Sequence, residues 1–281
     1  MTSKSFHTQH FHPPTGPVLL SVPHAGRAYD AAMVSDLRVP VAATLPLEDR
    51  YVDRLTDGAI AAGVPTIIAN TPRLMIDLNR APDDIDRESV RGGFGRGMPA
   101  SAKARAGLGL VPTRLWGIGP LWRTAFDPDD IATRIRCVHA PYHAAIATAL
   151  QSAKQRFGSA LLIDIHSMPP NKGEDAPDIV IGDRFGSSAT TQITATAEAA
   201  LKGLGFRVAI NAPYAGGYII TRHAAPHVGV HALQIEIDRQ LYLDGALDQP
   251  GEGLVRMQQT VLTLVETLTE ELMGRFAAAA E

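Results

Sequence analysis

The segment ALLIDI, residues 160–165, constrains the fold most strongly, because five of its six residues are apolar. A short, almost unbroken apolar run is typical of a strand that is covered on both faces of a sheet. Similar runs recur along the chain, at residues 17–22, 64–70, 73–78, 178–182, 206–210 and 232–237. We therefore predict a sheet of buried strands.

Helical patterns lie between these runs, at residues 47–62, 129–157, 187–203 and 252–280. Pro141 should kink or break the second of them, because proline cannot donate the helical hydrogen bond. Strands that alternate with helices predict an α/β protein, a three-layer α/β/α fold with a central sheet. The runs at 64–70 and 73–78 can only be joined tightly, so we expect a mixed sheet.

Composition excludes several classes of function. The 281 residues carry a net charge of −3, which does not suggest a basic nucleic-acid surface. No apolar window is long enough to span a membrane, and the N-terminus has no apolar signal region. Cys137 is the single cysteine, so no intrachain disulfide can form. We expect a cytoplasmic protein; its oligomeric state does not follow from the sequence.

The length suits one large α/β domain or two small ones, and we predict a single domain over residues 1–281. Residues 1–16 read as a polar N-terminal arm that contains a loose histidine tract. Residues 83–126 are rich in Gly, Pro and Arg and contain both tryptophans. A connection of that length is usually functional, so we interpret it as a candidate lid over a site.

Two histidines stand at the ends of predicted strands, His24 in SVPHAG and His166 in DIHS. Ligands of open α/β sheets bind at the carboxyl ends of strands, so these side chains can converge. Glu48 and Asp49 supply a carboxylate nearby. Two histidines and one carboxylate are the composition of a hydrolytic zinc site, although each residue alone could be structural.

Two acidic residues lie inside apolar strands. Asp164 precedes His166 by two positions and shares its strand face, as a carboxylate that orients a metal-binding histidine would. Glu236 lies between two isoleucines, where Glu is uncommon, and it is a candidate general base. Arg239 is a candidate partner for Glu236 or a substrate clamp.

Basic and amide side chains follow another apolar run. Asn79 and Arg80 end RLMIDLNR, and Arg73 begins it. A guanidinium group beside an amide suits a substrate carboxylate, although Arg80 could also pair with Asp83 or Asp84 at the surface.

Two further histidine-containing segments are less specific. GGYIITRH places Tyr218, Arg222 and His223 after two glycines, which is typical of a ligand loop or of a simple turn. His139 and His143 have the i, i+4 spacing of metal ligands, but Pro141 between them favours a role in core packing.

Seven motifs follow one another from about residue 18 to residue 245: SVPHAG, LEDRYVDRL, RLMIDLNR, PYH, DIHS, GGYIITRH and QIEIDRQLY. In this order they resemble the N-formylglutamate amidohydrolase (deformylase) family of histidine degradation. The resemblance implies a zinc-carboxypeptidase-like fold of the phosphorylase/hydrolase-like type. It also implies zinc-dependent hydrolysis of N-formyl-L-glutamate to formate and L-glutamate, with one Zn²⁺ per chain.

The resemblance also implies roles for single residues. It makes His24, Asp49 and His166 the zinc ligands and favours Asp49 over Glu48. Glu236 becomes the general acid/base. Arg73 matches one of the positions that hold the substrate carboxylate and the oxyanion, and either Arg73 or Arg80 would stabilise the oxyanion. The substrate-binding positions that it implies are Asn79, Arg80, Tyr218, Arg222 and His223.

Two alternatives remain open from the sequence. A zinc hydrolase of another N-acyl amino acid or of a short peptide would use the same site residues. A non-catalytic protein on the same fold would bind an acidic amino acid through Arg80 and would hold no zinc.

Overall fold

The computed structural model describes residues 4–93, 100–170, 173 and 175–280. Residues 1–3 of the predicted arm and residues 94–99 of the candidate lid lie outside the described residues.

The strands are β1 Phe6–Gln9, β2 Val18–Val22, β3 Thr66–Ala69, β4 Arg114–Leu115, β5 Gly119–Pro120, β6 Ala160–Met168, β7 Ile179–Gly182, β8 Val208–Ile210 and β9 Val230–Asp238. Within the described ranges, seven of them form one sheet in the order β1-β3-β2-β6-β9-β7-β8, while β4 and β5 form a separate hairpin. Strand β1 places part of the predicted polar arm at the edge of the sheet.

The sheet is mixed, as predicted. Strand β2 pairs in parallel with β3 and β6, β6 pairs in parallel with β9, and β7 pairs in parallel with β8. Strand β7 runs antiparallel to β9. The antiparallel pair is therefore β7 with β9, rather than the two neighbouring runs from which we expected a mixed sheet.

The prediction of a strand at residues 73–78 is wrong. The amide of Met75 bonds the carbonyl of Pro72 in a turn, and the amide of Asp77 bonds the carbonyl of Leu110. The apolar side chains of this segment are buried all the same: Leu74, Ile76 and Leu78 are each 1% exposed. Burial without strand pairing explains why the sequence pattern was misleading.

The α-helices are α1 Ala31–Asp36, α2 Asp57–Ala61, α3 Ala102–Arg105, α4 Pro128–Arg134, α5 Ala140–Phe157, α6 Thr191–Gly203, α7 Tyr218–His223 and α8 Leu254–Ala280. The helix predicted over residues 47–62 is wrong except for α2. Two 3₁₀ turns, Val41–Leu47 and Val52–Thr56, precede α2, and Tyr51 adopts a left-handed conformation with φ 55°. A regular helix cannot continue through that conformation.

A π-helical turn, Ile135–His139, joins α4 to α5. It lies directly before Pro141, whose nitrogen cannot bond the carbonyl four residues back. The distortion expected at Pro141 is confirmed, but the helical path continues rather than breaking. Widened turns of this kind often occur at functional positions.

The chain clusters into two compact units. The first unit comprises residues 1–7, 23–48 and 69–144, and the second comprises residues 8–22, 49–68 and 145–281. The single domain over residues 1–281 stays a prediction.

The first unit contains the described parts of the candidate lid. Ile85, Leu110 and Leu121 are fully buried there, so this segment contributes apolar side chains to the interior of the unit. Arg134 lies over the rings of Trp122 and Phe126, with its guanidinium carbon 5.5 and 4.9 Å from their centroids. A role as a lid stays a prediction.

The second unit is built on β6 and β9. All residues of β6 are buried, and so are those of β9 after Val230. Helix α8 packs against α2, α6 and β2. Helices that pack on a mixed, mostly parallel sheet confirm the predicted α/β class. None of the helices described here is long and apolar enough to cross a membrane.

Replacing Gly26 by alanine should destabilise the protein. A Cβ at Gly26 would lie 2.1 Å from the carbonyl oxygen of Thr71, so the backbone must move. Overpacking of this kind costs about 1–3 kcal/mol. Thermal unfolding should show a Tm lowered by several degrees. Gly16→Ala is the matched control, because nothing lies within 4 Å of its Cβ position; equal Tm values for the two variants would contradict the prediction.

Candidate active site

The end of β6 carries a hydrogen-bonded row of buried polar groups. Ser21 of β2 lies in register with Asp164, and its hydroxyl donates to Asp164 Oδ1 at 2.7 Å. Asp164 Oδ2 lies 2.7 Å from His166 Nε2, because residues two apart on a strand share a face. The pairing of Asp164 with His166 predicted from the sequence is confirmed.

Asp49 lies on the other side of the His166 ring. Its Oδ2 atom is 3.0 Å from His166 Nδ1, and its Oδ1 accepts a hydrogen bond from Arg239 Nη2 at 3.2 Å. Arg239 Nε also donates to Ser167 Oγ at 3.1 Å. Arg239 therefore holds the Asp49 carboxylate in place. We call Ser21, Asp49, Asp164, His166 and Arg239 the His166 cluster.

The His166 cluster attracts positive charge. Burial alone would lower the pKa of His166, but the charge and hydrogen bond of Asp164 and the hydrogen bond of Asp49 raise this pKa well above its ordinary value. Two buried carboxylates face one imidazole and one guanidinium. A proton on His166 or a bound cation at the same place would balance the charge.

Glu236 is held from its own strand. Gln234 and Glu236 lie on the same face of β9, and the amide Nε2 of Gln234 donates to Glu236 Oε1 at 2.8 Å. Glu236 is 7% exposed and is the register partner of His166 on β6. The structure thus places Glu236 on the strand next to the His166 cluster.

The GGYIITRH segment forms α7 and not a hairpin turn. The amide of Gly217, which precedes α7, donates to Gln234 Oε1 at 2.9 Å. Tyr218 in the first turn is half-buried, and His223 in the last turn is half-buried. Arg222 is exposed. The start of α7 therefore lies beside the strand that carries Glu236.

The first unit holds a second histidine–carboxylate pair. His24 Nε2 lies 2.8 Å from Asp77 Oδ1, and Arg73 Nε donates to Asp77 Oδ2 at 2.9 Å. The Nε atom of Arg80 is 3.8 Å from the same oxygen, and the amide of Asn79 donates to Asp77 Oδ1. We call these five residues the His24 cluster. The acid beside Arg80 is thus Asp77, where the sequence had suggested Asp83 or Asp84 as its surface partners.

Asp77 is charged in this setting. Burial would raise the pKa of its carboxyl, but Arg73, His24 and Arg80 hold that pKa well below its usual range. One buried carboxylate therefore fixes both an imidazole and the arginines that the sequence singled out.

His139 and His143 support the backbone of the His24 cluster. His139 Nε2 bonds the carbonyl of Arg80 at 2.9 Å, and His143 Nε2 bonds the carbonyl of Leu78 at 3.0 Å. Both rings are buried, and their centroids are 4.3 Å apart. This agrees with the packing role favoured from the sequence.

His24, Asp49 and His166 could hold a metal ion. Each offers one ligand atom, and all three side chains are buried. The carboxylate of Glu48, in contrast, accepts a hydrogen bond from the hydroxyl of Tyr29. The choice of Asp49 over Glu48 as the third ligand stays a prediction.

The donor set fits zinc. A neutral imidazole that donates through Nε2 to a carboxylate keeps its lone pair on Nδ1, which makes it a ligand of fixed orientation. Both His24 and His166 have such a carboxylate, Asp77 and Asp164 respectively. Two imidazoles with one carboxylate are a common protein ligand set of catalytic zinc.

Sequence reasoning missed Asp77 and Gln234. Asp77 lies between Ile76 and Leu78, as Asp164 lies between two isoleucines. An acidic residue inside an apolar run is a sufficient signal for both Asp77 and Asp164. In the predicted strand at 73–78, however, only the residues at and beyond the strand ends were considered as site residues. Gln234 lies two residues before Glu236, so the strand period could have identified it.

Comparison with known proteins identifies relatives over most of the chain. The family model described as N-formylglutamate amidohydrolase matches residues 16–243. A protein named N-formylglutamate deformylase from Pseudomonas aeruginosa is 31% identical over 269 residues, which cover 92% of this chain and 93% of that protein. A protein of the same name from Pseudomonas putida is 29% identical over 242 residues, covering 83% and 84%.

A solved structure agrees with these matches. The crystal structure of N-formylglutamate amidohydrolase from Ralstonia eutropha JMP134 has a TM-score of 0.87 and 29% identity, and the match covers 95% of this chain and 98% of that one. The fold, the sequence matches and the order of the motifs agree. This chain belongs to the N-formylglutamate amidohydrolase family.

Proposed function

We propose that this protein is a zinc-dependent amidohydrolase that cleaves N-formyl-L-glutamate to formate and L-glutamate. The observation that carries the proposal is that His24 and His166 are buried and that each is bonded to a buried carboxylate, as metal-ligating histidines usually are. We infer the substrate from the names of the relatives, which are both N-formylglutamate deformylase.

His24, Asp49 and His166 would hold one zinc ion per chain. A bound zinc ion supplies Lewis acidity, which makes water a better nucleophile near neutral pH and polarises a carbonyl. Asp77 and Asp164 keep the two imidazoles in the tautomer and orientation that ligation requires. Arg239 keeps the Asp49 carboxylate in place.

Glu236 is the proposed general base and general acid. It takes a proton from the water that attacks the formyl carbon, and it then returns a proton to the departing amine of glutamate. The C–N bond breaks as the new C–O bond is retained, so the products are formate and L-glutamate. Its place on the strand next to His166 supports this role.

The arginines of the His24 cluster suit an anionic substrate. Asp77 anchors the guanidinium of Arg73 through Nε, so the orientation of this side chain is set before substrate binds. We assign Arg73 to the oxyanion and Arg80 with Asn79 to a substrate carboxylate, because guanidinium groups bind carboxylates in a fixed geometry. Tyr218, Arg222 and His223 of α7 are proposed to bind the remainder of the substrate.

The resemblance predicts a role in histidine degradation, and the composition predicts a cytoplasmic protein; both stay predictions. A hydrolase of another N-acyl amino acid or of a short peptide would use the same residues. A binding protein that holds an acidic amino acid without zinc has no need of the carboxylates that orient His24 and His166. The two histidine–carboxylate pairs therefore favour the hydrolase.

Formate release from N-formyl-L-glutamate tests the proposal. The protein should release formate from this substrate much faster than from N-formyl-L-norleucine, whose side chain has a similar length but no carboxylate. The reason for the preference is Arg80, which we assign with Asn79 to a substrate carboxylate. Equal rates on both substrates would be compatible with a hydrolase but would contradict recognition of the glutamate side chain. Formate release from neither substrate would contradict the proposed reaction.

Replacing Glu236 and Asp77 should separate the reaction from the metal. Glu236→Gln should lower kcat by about 10²–10⁴-fold, the usual contribution of a general acid/base, while the zinc content stays unchanged. Asp77→Asn should instead weaken zinc binding by about 10–100-fold, because an orienting partner of a ligand is lost. Metal analysis during chelator titration and initial rates of formate release measure both effects.

Two exposed residues provide the controls. Glu270→Gln on α8 and Asp36→Asn on α1 make the same chemical changes at exposed positions, and both should behave like the wild type. Loss of zinc from Glu236→Gln would show that Glu236 has a structural role. Unchanged zinc affinity in Asp77→Asn would remove Asp77 from the metal site.

A further inference from the structure

We propose that Gln234 is a positioning residue for the reaction, which holds the carboxylate of Glu236 against a rigid part of the backbone. The inference rests on the proposed function, since it takes Glu236 as the acid/base. Gln234 is 4% exposed, and its amide contacts both Glu236 and Gly217.

The two contacts define the orientation of the Gln234 amide. A backbone N–H can only donate, so Oε1 faces Gly217 at 2.9 Å. An ionised carboxylate can only accept, so Nε2 faces Glu236 Oε1 at 2.8 Å. Gln234 thus links the N–H donor of Gly217 to the carboxylate acceptor of Glu236. Only one orientation of its amide group satisfies both contacts.

The backbone that anchors Gln234 is tightly packed. A Cβ at Gly182, the last residue of β7, would lie 2.8 Å from the carbonyl carbon of Ala215. The amide of Arg184 also bonds the carbonyl of Ala215 at 2.9 Å. Gly216 has φ +110°, a conformation that side chains rarely adopt. The segment before α7 therefore gives Gln234 a fixed point of attachment.

A carboxylate that moves a proton twice in one reaction must keep its place toward both the water and the leaving nitrogen. Strand β9 fixes the backbone of Glu236, but its side chain has further rotatable bonds. The hydrogen bond from Gln234 restricts these bonds, and it links Glu236 to the residue before Tyr218. Gln234 therefore aligns Glu236 with helix α7, which we assign to substrate binding.

Three variants test this role. Gln234→Met keeps the length of the side chain and removes both hydrogen bonds. Gln234→Glu keeps an acceptor for Gly217 but places a carboxylate oxygen against Glu236. Gln151→Met, on the exposed face of α5, is the matched control. Metal content and Tm are measured for every variant, and the comparison uses the zinc-loaded full chain.

Both Gln234 variants should lower kcat roughly 10- to 100-fold, the effect of one hydrogen bond to a charged group. Calorimetric binding of the product L-glutamate should stay within about 2-fold of the wild type, because the loss lies in the reaction and not in ground-state binding. Gln151→Met should match the wild type in both measurements.

Three results would overturn the inference. The first is a wild-type kcat for Gln234→Met. The second is a wild-type kcat for Gln234→Glu, which would show that only the hydrogen bond to Gly217 matters. The third is a loss of L-glutamate binding equal to the loss in kcat. An active Glu236→Gln enzyme would instead remove Glu236 from the proposed mechanism. Failure of the positioning role of Gln234 and failure of the proposed function are therefore distinguishable.

Discussion

The contact between the carboxylate of Asp164 and the imidazole of His166 is the interaction on which the second unit depends. A carboxyl group in a fully buried strand is costly unless polar partners surround it. Ser21 from the neighbouring strand and His166 provide these partners at 2.7 Å each. Because these contacts need β2 and β6 in one register, the strand pairing and the position of His166 are set together.

The first unit reaches a similar arrangement without a strand. Asp77 lies in a chain of turns, where it bonds His24 and Arg73 through its two oxygens. Irregular backbone brings the imidazole, the guanidinium group and the amide of Asn79 to this one carboxylate. The buried carboxylates thus orient the two histidines and the arginines before any ligand arrives, and preorganisation of this kind is what catalysis by polar groups requires.

Much of this arrangement could be predicted from sequence. Continuous apolar runs predicted the strands of the sheet, and the strand period placed Asp164 beside His166. The segment at 73–78 was mispredicted because Leu74, Ile76 and Leu78 are buried without strand pairing, and periodicity cannot distinguish the two cases. The partner of His24 was missed for the same reason: Asp77 meets it through turns, whose geometry depends on contacts such as that with Leu110.

We propose that the histidines oriented by carboxylates hold the metal ion on which hydrolysis depends. The most direct measurement is the zinc content of the purified chain together with its rate of formate release from N-formyl-L-glutamate, before chelation, after it and after zinc is restored. The account predicts about one zinc per chain, loss of activity with the metal and recovery with zinc. Undiminished formate release from metal-free protein would contradict it.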